Sequence, residues 1–159
     1  PYSQDGNLIT STNSLNGLNH FSEGERAAID WLKERAQGQD IVIAEAVGND
    51  DTEAARISAA TGAPAILGWG GHEDQWRGSS APRAGRFEDV NALYSGEISR
   101  LREIVKKYDV TYIVVGDLER RTYGEPALQR FADMPVAFQS GTVTIYSTAG
   151  LEDEVTAAP

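Results

Sequence analysis

"EISRLREIVKKYDVTYIVVG", Glu97 to Gly116, changes its period halfway. In the first part Ile98, Leu101, Ile104, Val105 and Tyr108 recur at steps of three and four with charges between them, which predicts an amphipathic helix. From Val110 the charges stop. "VTYIVVG" (110–116) is a β-branched run closed by glycine and reads as a largely buried strand.

The same alternation extends in both directions. In "SEGERAAIDWLKERAQG" (22–38), Ser22 and Glu25 have the spacing of a capping box. Ala28, Ile29, Trp31 and Leu32 then form an apolar face, and Gly38 offers a stop. "DIVIAEAV" (40–47) reads as a buried strand, and "TEAARISAA" (52–60) as a helix capped by Asp50 or Asp51 and ended at Thr61-Gly62. "APAILGW" (63–69) is a further short strand. Beyond Gly116, a short helix over "EPALQRFAD" (125–133) precedes "VAFQSGTVTIYST" (136–148), two alternating strands turning at Ser140-Gly141.

The order α-β-α-β-α-β-α-β-β implies right-handed crossovers. The expected fold class is α/β: a three-layer, Rossmann-like, mainly parallel sheet of about five strands with a C-terminal antiparallel hairpin. Residues 1–20, rich in Asn, Ser, Thr and Gly, read as an extended lead-in; 21–148 as one domain; and 149–159 as a flexible acidic tail.

Composition narrows the function. The chain has 159 residues and a formal net charge of −10, which argues against a general nucleic-acid binder. It has no cysteine, so disulfides, thiolate metal sites and a cysteine nucleophile are excluded. No apolar run approaches the roughly 20 residues of a membrane span, and no signal peptide is visible. A chain opening on Pro1 rather than Met reads as a processed product or a fragment, with room for a membrane segment upstream.

In open parallel sheets, ligands bind beyond the carboxyl ends of the strands. Three connections leave those ends: "GNDD" (48–51), "GWGGHEDQWRG" (68–78) and "GDLERRTYG" (116–124). The first has one glycine and two acids where a dinucleotide site needs G-x-G-x-x-G, so no nucleotide cofactor is expected. The second continues into "QWRGSSAPRAGR" (75–86), whose Arg77, Arg83 and Arg86 stand without an acid among them. Arginine forks fit phosphate or carboxylate oxygens. An anion site walled by Trp69 or Trp76 is therefore one reading, and pairing of these arginines with Glu73, Glu88 and Asp89 is the other.

His72 and Glu73 form the only histidine–carboxylate neighbours, and His20 is the only other histidine, too few donors for a zinc site. No nucleophile motif accompanies His72. Glu45 lies inside an apolar run, where a carboxylate requires a partner, with Arg56 or Arg77 as candidates. In the third connection Asp117, Glu119, Arg120, Arg121 and Tyr123 mix both signs; Asp117 could cap a turn and Tyr123 could reach the 68–78 connection.

Taken together, "RISAATGAPAILGWGGHEDQWRG" (56–78), "DVNALYSG" (89–96) and "YDVTYIVVGDLERRTYG" (108–124), with "AAIDWLKE" and "IVIAEA" before them, resemble a known family. The likeness is to the carboxyl-terminal soluble region of an uncharacterised bacterial and archaeal family of polytopic membrane proteins, named for a YYY signature. That family is thought to be related to the GT-C glycosyltransferases, which use polyprenyl-phosphate sugars. The resemblance covers residues 20–147 and implies a domain on the extracytoplasmic side of the membrane. Its partner would be the transmembrane domain of the same parent protein, with a lipid-linked sugar or glycan acceptor beside it. By analogy the catalytic carboxylates lie in the membrane part, while Trp69, His72, Glu73, Trp76 and Arg77 face its cavity. Two other classes compete: an interaction or carbohydrate-binding subunit without turnover, and a free-standing hydrolase or transferase using His72 and Glu73.

Overall fold

The computed structural model describes residues 21–46, 56–66 and 81–151, with 81–84 by backbone alone. Among these, α1 (Glu23–Gly38) opens with the expected capping box: Ser22 Oγ accepts the Glu25 amide at 3.2 Å, and Glu25 Oε2 accepts the Ser22 amide at 3.0 Å. Strand β1 (Ile43–Ala44) and helix α2 (Arg56–Thr61) follow. The proposed caps Asp50 and Asp51 lie outside the described residues.

Helix α3 (Ala81–Ser95) and helix α4 (Ile98–Tyr108) pack against each other before β2 (Tyr112–Val115). Buried Leu101, Ile104 and Val105 give α4 its inner face, while Ile98 at its start is 55 % exposed. Asp109 ends α4 in the left-handed region at φ 52°, a conformation that a short polar side chain tolerates. After β2 come α5 (Asp117–Tyr123), α6 (Glu125–Leu128), one 3₁₀ turn (Gln129–Phe131), β3 (Val136–Ser140) and β4 (Val143–Ser147). Gly141 turns the β3–β4 hairpin at φ 57°, a value that glycine adopts without steric cost.

The four strands stand in the order β1-β2-β4-β3. β1 and β2 are parallel with Ile43 opposite Tyr112, whereas β2–β4 and β3–β4 are antiparallel. The sheet is therefore mixed, because the hairpin adds two antiparallel pairs directly beside β2. The strand expected over 63–69 is represented among the described residues by one parallel bridge, Ile43 to Ala65.

Helices cover both faces, and alternation along the strands sorts the core accordingly. Ile43, Val114, Val143 and Ile145 pack with Ala28, Ile29 and Leu32 of α1 and Ile57 of α2. Ala44, Ile113 and Val115 pack with Val90, Leu93 and Tyr94 of α3 and Leu101, Ile104 and Val105 of α4.

Two expectations need correction. The arginine-rich stretch 81–86 is the start of α3 rather than a loop. Pro82 suits a first helical turn, and Val90, Leu93 and Tyr94 bury the helix, although Gly85 blurs its pattern. "GDLERRTYG" is likewise a helix, α5, anchored by Glu119 at its own N-terminus. At the end of the described residues the Leu151 amide donates to the Thr148 carbonyl at 3.0 Å, and Leu151 packs against the core.

Candidate functional site

The carboxyl ends of the parallel pair are tied together by two side chains. From α3, the Tyr94 hydroxyl lies 2.9 Å from the Ala44 carbonyl oxygen and 2.7 Å from that of Val114, which share its proton. From α5, Glu119 binds amides: Oε1 accepts that of Ala46 at 3.0 Å, and Oε2 that of Gly116 at 2.8 Å. Both residues are fully buried. Burial, and then the charge of Glu119, hold the Tyr94 hydroxyl well above its ordinary pKa, so it remains a donor.

Glu45 stands just beyond β1 and is 2 % exposed. Its Oε2 accepts the Ile57 amide at 2.9 Å and its Oε1 the Ser58 amide at 2.8 Å, so one carboxylate docks the first described turn of α2 onto β1. The Ser58 side chain also bonds to it. Burial raises the pKa of Glu45 and the Glu119 charge adds to the rise, against the lowering effect of the Ser58 and Ile57 bonds.

Arg56 sits at the centre. Its Nε and Nη2 donate to Glu25 Oε1 at 2.8 and 2.5 Å, and its Nη1 approaches Glu119 Oε1 at 3.9 Å. Desolvation opposes the charge of Arg56, yet Glu119, Glu25 and Glu45 overcome it and raise its pKa. Nη1 is buried and has no hydrogen-bond partner of its own among the described residues. The arrangement joins α1, α2, the end of β1 and α5 through three carboxylates and one guanidinium.

The residues singled out from sequence thus divide. Glu45, Arg56 and Glu119 come together at the strand ends. Arg56, however, bonds to Glu25 rather than to Glu45, whose oxygens are taken by backbone amides. Tyr123 stacks on Tyr94 at 4.6 Å and donates to Asn91 Oδ1 at 2.8 Å, which directs it onto α3. Asp117 opens α5 and is 54 % exposed, 3.9 Å from Arg120 Nη1. Arg86 Nη1 donates to the Ile66 carbonyl at 3.5 Å. Asp89, offered as a partner for the nearby arginines, instead receives Arg100, Lys107 and Tyr108 from α4. Trp69, His72, Glu73, Trp76 and Arg77 lie outside the described residues, as does the side chain of Arg83.

Two members escaped the sequence reading. Glu25 was legible as a capping-box glutamate, but its second oxygen turns inward to Arg56. Tyr94 carries no motif; its only signal is helical spacing with Val90 and Leu93, which places a hydroxyl on an apolar face.

Chemically, these carboxylates act as hydrogen-bond acceptors for backbone. Among the described residues no group of histidine, aspartate and glutamate is placed to hold a metal ion. No described helix is long and apolar enough to cross a membrane. Comparison of the chain with models of known families, with curated proteins and with solved structures finds no match.

Proposed function

We propose that this chain is a non-catalytic binding domain and, as the resemblance of residues 20–147 implies, the extracytoplasmic part of a membrane-embedded, GT-C-like glycosyltransferase. In that setting it supplies contacts to the acceptor or the lipid phosphate, and its partner is the transmembrane domain of the same protein. The finer fold in this reading is a three-layer Rossmann-like sheet, with Ala65 marking a fifth, parallel strand.

The supporting observation is the use made of the two buried glutamates. Glu45 and Glu119 direct both oxygens at backbone amides and are sealed from solvent. A general acid or base must come within hydrogen-bond reach of its substrate. These carboxylates instead fix the frame from which the connections 47–55 and 67–80 leave, and the latter carries Trp69, His72, Glu73, Trp76 and Arg77. A fixed frame joined to a segment that carries aromatic and cationic groups suits binding of an anionic head group.

The test is co-sedimentation of the chain with phosphatidylcholine vesicles, with and without polyprenyl phosphate. Retention only on the phosphate-bearing vesicles is expected, weakened in Arg77→Ala and Trp76→Ala variants whose thermal melts match the parent. Equal partition onto both kinds of vesicle would overturn the lipid-phosphate contact. Unfolding of both variants would assign the loop to packing instead. Turnover of a glycoside or phosphoester that disappears in His72→Ala would replace the proposal with the hydrolase reading.

A further inference from the structure

The group around Arg56 is unbalanced. Among the described residues Glu25, Glu45 and Glu119 place three carboxylates around a single guanidinium, with Glu45 and Glu119 almost wholly out of water. Like charges in a desolvated site favour uptake of a proton by one of them. Glu119 is held by two amides and faces Arg56 at 3.9 Å. Glu25 shares its Oε1 with two nitrogens of Arg56. Among the described residues Glu45 has no ion pair within 4.0 Å and depends on the Ile57 and Ser58 amides and the Ser58 side chain.

We propose that Glu45 is a proton-operated latch between β1 and α2: ionised, it grips the first turn of α2; protonated, it releases that turn. The step is the addition of one proton from solvent to one carboxylate oxygen, with no other bond made or broken. Each oxygen of the ionised group accepts a fixed backbone amide. Once one oxygen carries the proton it becomes a donor and a poorer acceptor, and the amide facing it cannot reverse its role. The Ser58 hydroxyl can, because a hydroxyl both donates and accepts.

Among the described residues the charged and titratable groups around Glu45 are Glu25 on α1, Arg56 on α2, Tyr94 on α3 and Glu119 on α5, with Tyr123 stacked behind Tyr94. Burial and Glu119 act in the direction the latch requires, lifting Glu45 above the ordinary 4.5. A raised folded value also sets the sign for the whole fold. The stability owed to this group is complete below 4.5 and is lost as pH rises through the folded value. Protonation of Glu45 therefore loosens α2 locally while this group's own contribution to overall stability grows, a pairing that general acid unfolding does not produce.

The experiment follows amide exchange at Ile57 and Ser58 across pH by NMR, corrected for intrinsic rates, together with the titration of the Glu45 side-chain carboxyl carbon. Protection at these two amides should fall by about tenfold as Glu45 takes its proton, the scale of one ordinary hydrogen bond. Ala46 and Gly116, held by Glu119, should keep theirs. In Glu45→Gln the Ile57 and Ser58 protection should be low and independent of pH. A Glu45 carboxyl carbon that titrates at or below the ordinary value overturns the latch, whether or not the variant folds. Protection that is flat with pH in the parent, or that still changes with pH in a folded Glu45→Gln, overturns it too.

Discussion

Glu119 joins two strand ends that are far apart in sequence: its Oε1 accepts the Ala46 amide across 73 residues, while its Oε2 accepts the Gly116 amide three residues before it. Tyr94 does the complementary work, meeting the carbonyls of Ala44 and Val114 from the other side. Donors and acceptors at the end of the parallel pair are thus satisfied by side chains from separate helices.

Removing Glu119 tests how much of the fold rests on it. Glu119→Ala leaves two buried amides unpaired and weakens the compensation of Arg56, a loss of about 3–5 kcal/mol for breaking a buried charged pair. Glu119→Gln keeps one acceptor but turns an amide nitrogen toward a backbone donor, at about 1–3 kcal/mol. Urea unfolding followed by circular dichroism measures both. A loss below about 0.5 kcal/mol for the alanine variant, the range of ordinary surface changes, would show that the strand ends hold without it.

Asp89 clasps α3 to α4. Its Oδ2 accepts Lys107 Nζ at 2.8 Å and the Tyr108 hydroxyl at 2.6 Å, and its Oδ1 accepts Arg100 Nη2 at 3.0 Å. Burial alone would raise its pKa, but the bonds from Lys107 and Tyr108 and the nearby cations prevail and lower it below 3.8. The stability due to Asp89 is therefore present above the unfolded value and lost as pH falls through the folded one. Asp89→Asn should cost about 1–2 kcal/mol at neutral pH, the worth of hydrogen bonds to a charged acceptor. In denaturant melts the gap between variant and parent should close as acid protonates the parent. A gap that stays constant on acidification would show that the clasp does not depend on charge.

How far the sequence could be read follows from where each pattern draws its information. The α4–β2 stretch was legible because hydrophobic period is a local property, and the capping box of α1 and the Gly141 turn for the same reason. Helix α3 was obscured by Pro82, which reads as a break although it suits a first turn, and by Gly85, whose cost is overridden by tertiary burial of Val90, Leu93 and Tyr94. The need of Glu45 for a partner was evident from its apolar neighbours, but not the identity of that partner. That choice depends on where α2 starts relative to β1, and nothing local encodes it. The same holds for Glu25, whose capping role is written in four residues while its bond to Arg56 spans 31. The aromatic and arginine connection at 68–78 remains a sequence-level expectation, since it lies outside the described residues.

Two glycines in helices make opposite predictions from the same substitution. Gly24 lies in the first turn of α1, against the β3–β4 hairpin; a Cβ there would collide with the Ser140 carbonyl oxygen and stand 3.2 Å from its carbon. Both are backbone atoms, so relief requires α1 to move off the hairpin. Gly85 lies inside α3 with nothing among the described residues within 4 Å of a Cβ. Alanine in an unobstructed helix position is worth about 0.5–1 kcal/mol over glycine, chiefly through the unfolded chain. Gly85→Ala should therefore stabilise the fold by about that amount. Gly24→Ala should destabilise it by about 1–3 kcal/mol, because the cost of overpacking exceeds the same helical gain. Thermal and denaturant melts of the two variants decide the matter by sign alone. If both changes stabilise, α1 does not press on the hairpin, and the frame that carries Glu25 to Arg56 is looser than these contacts require.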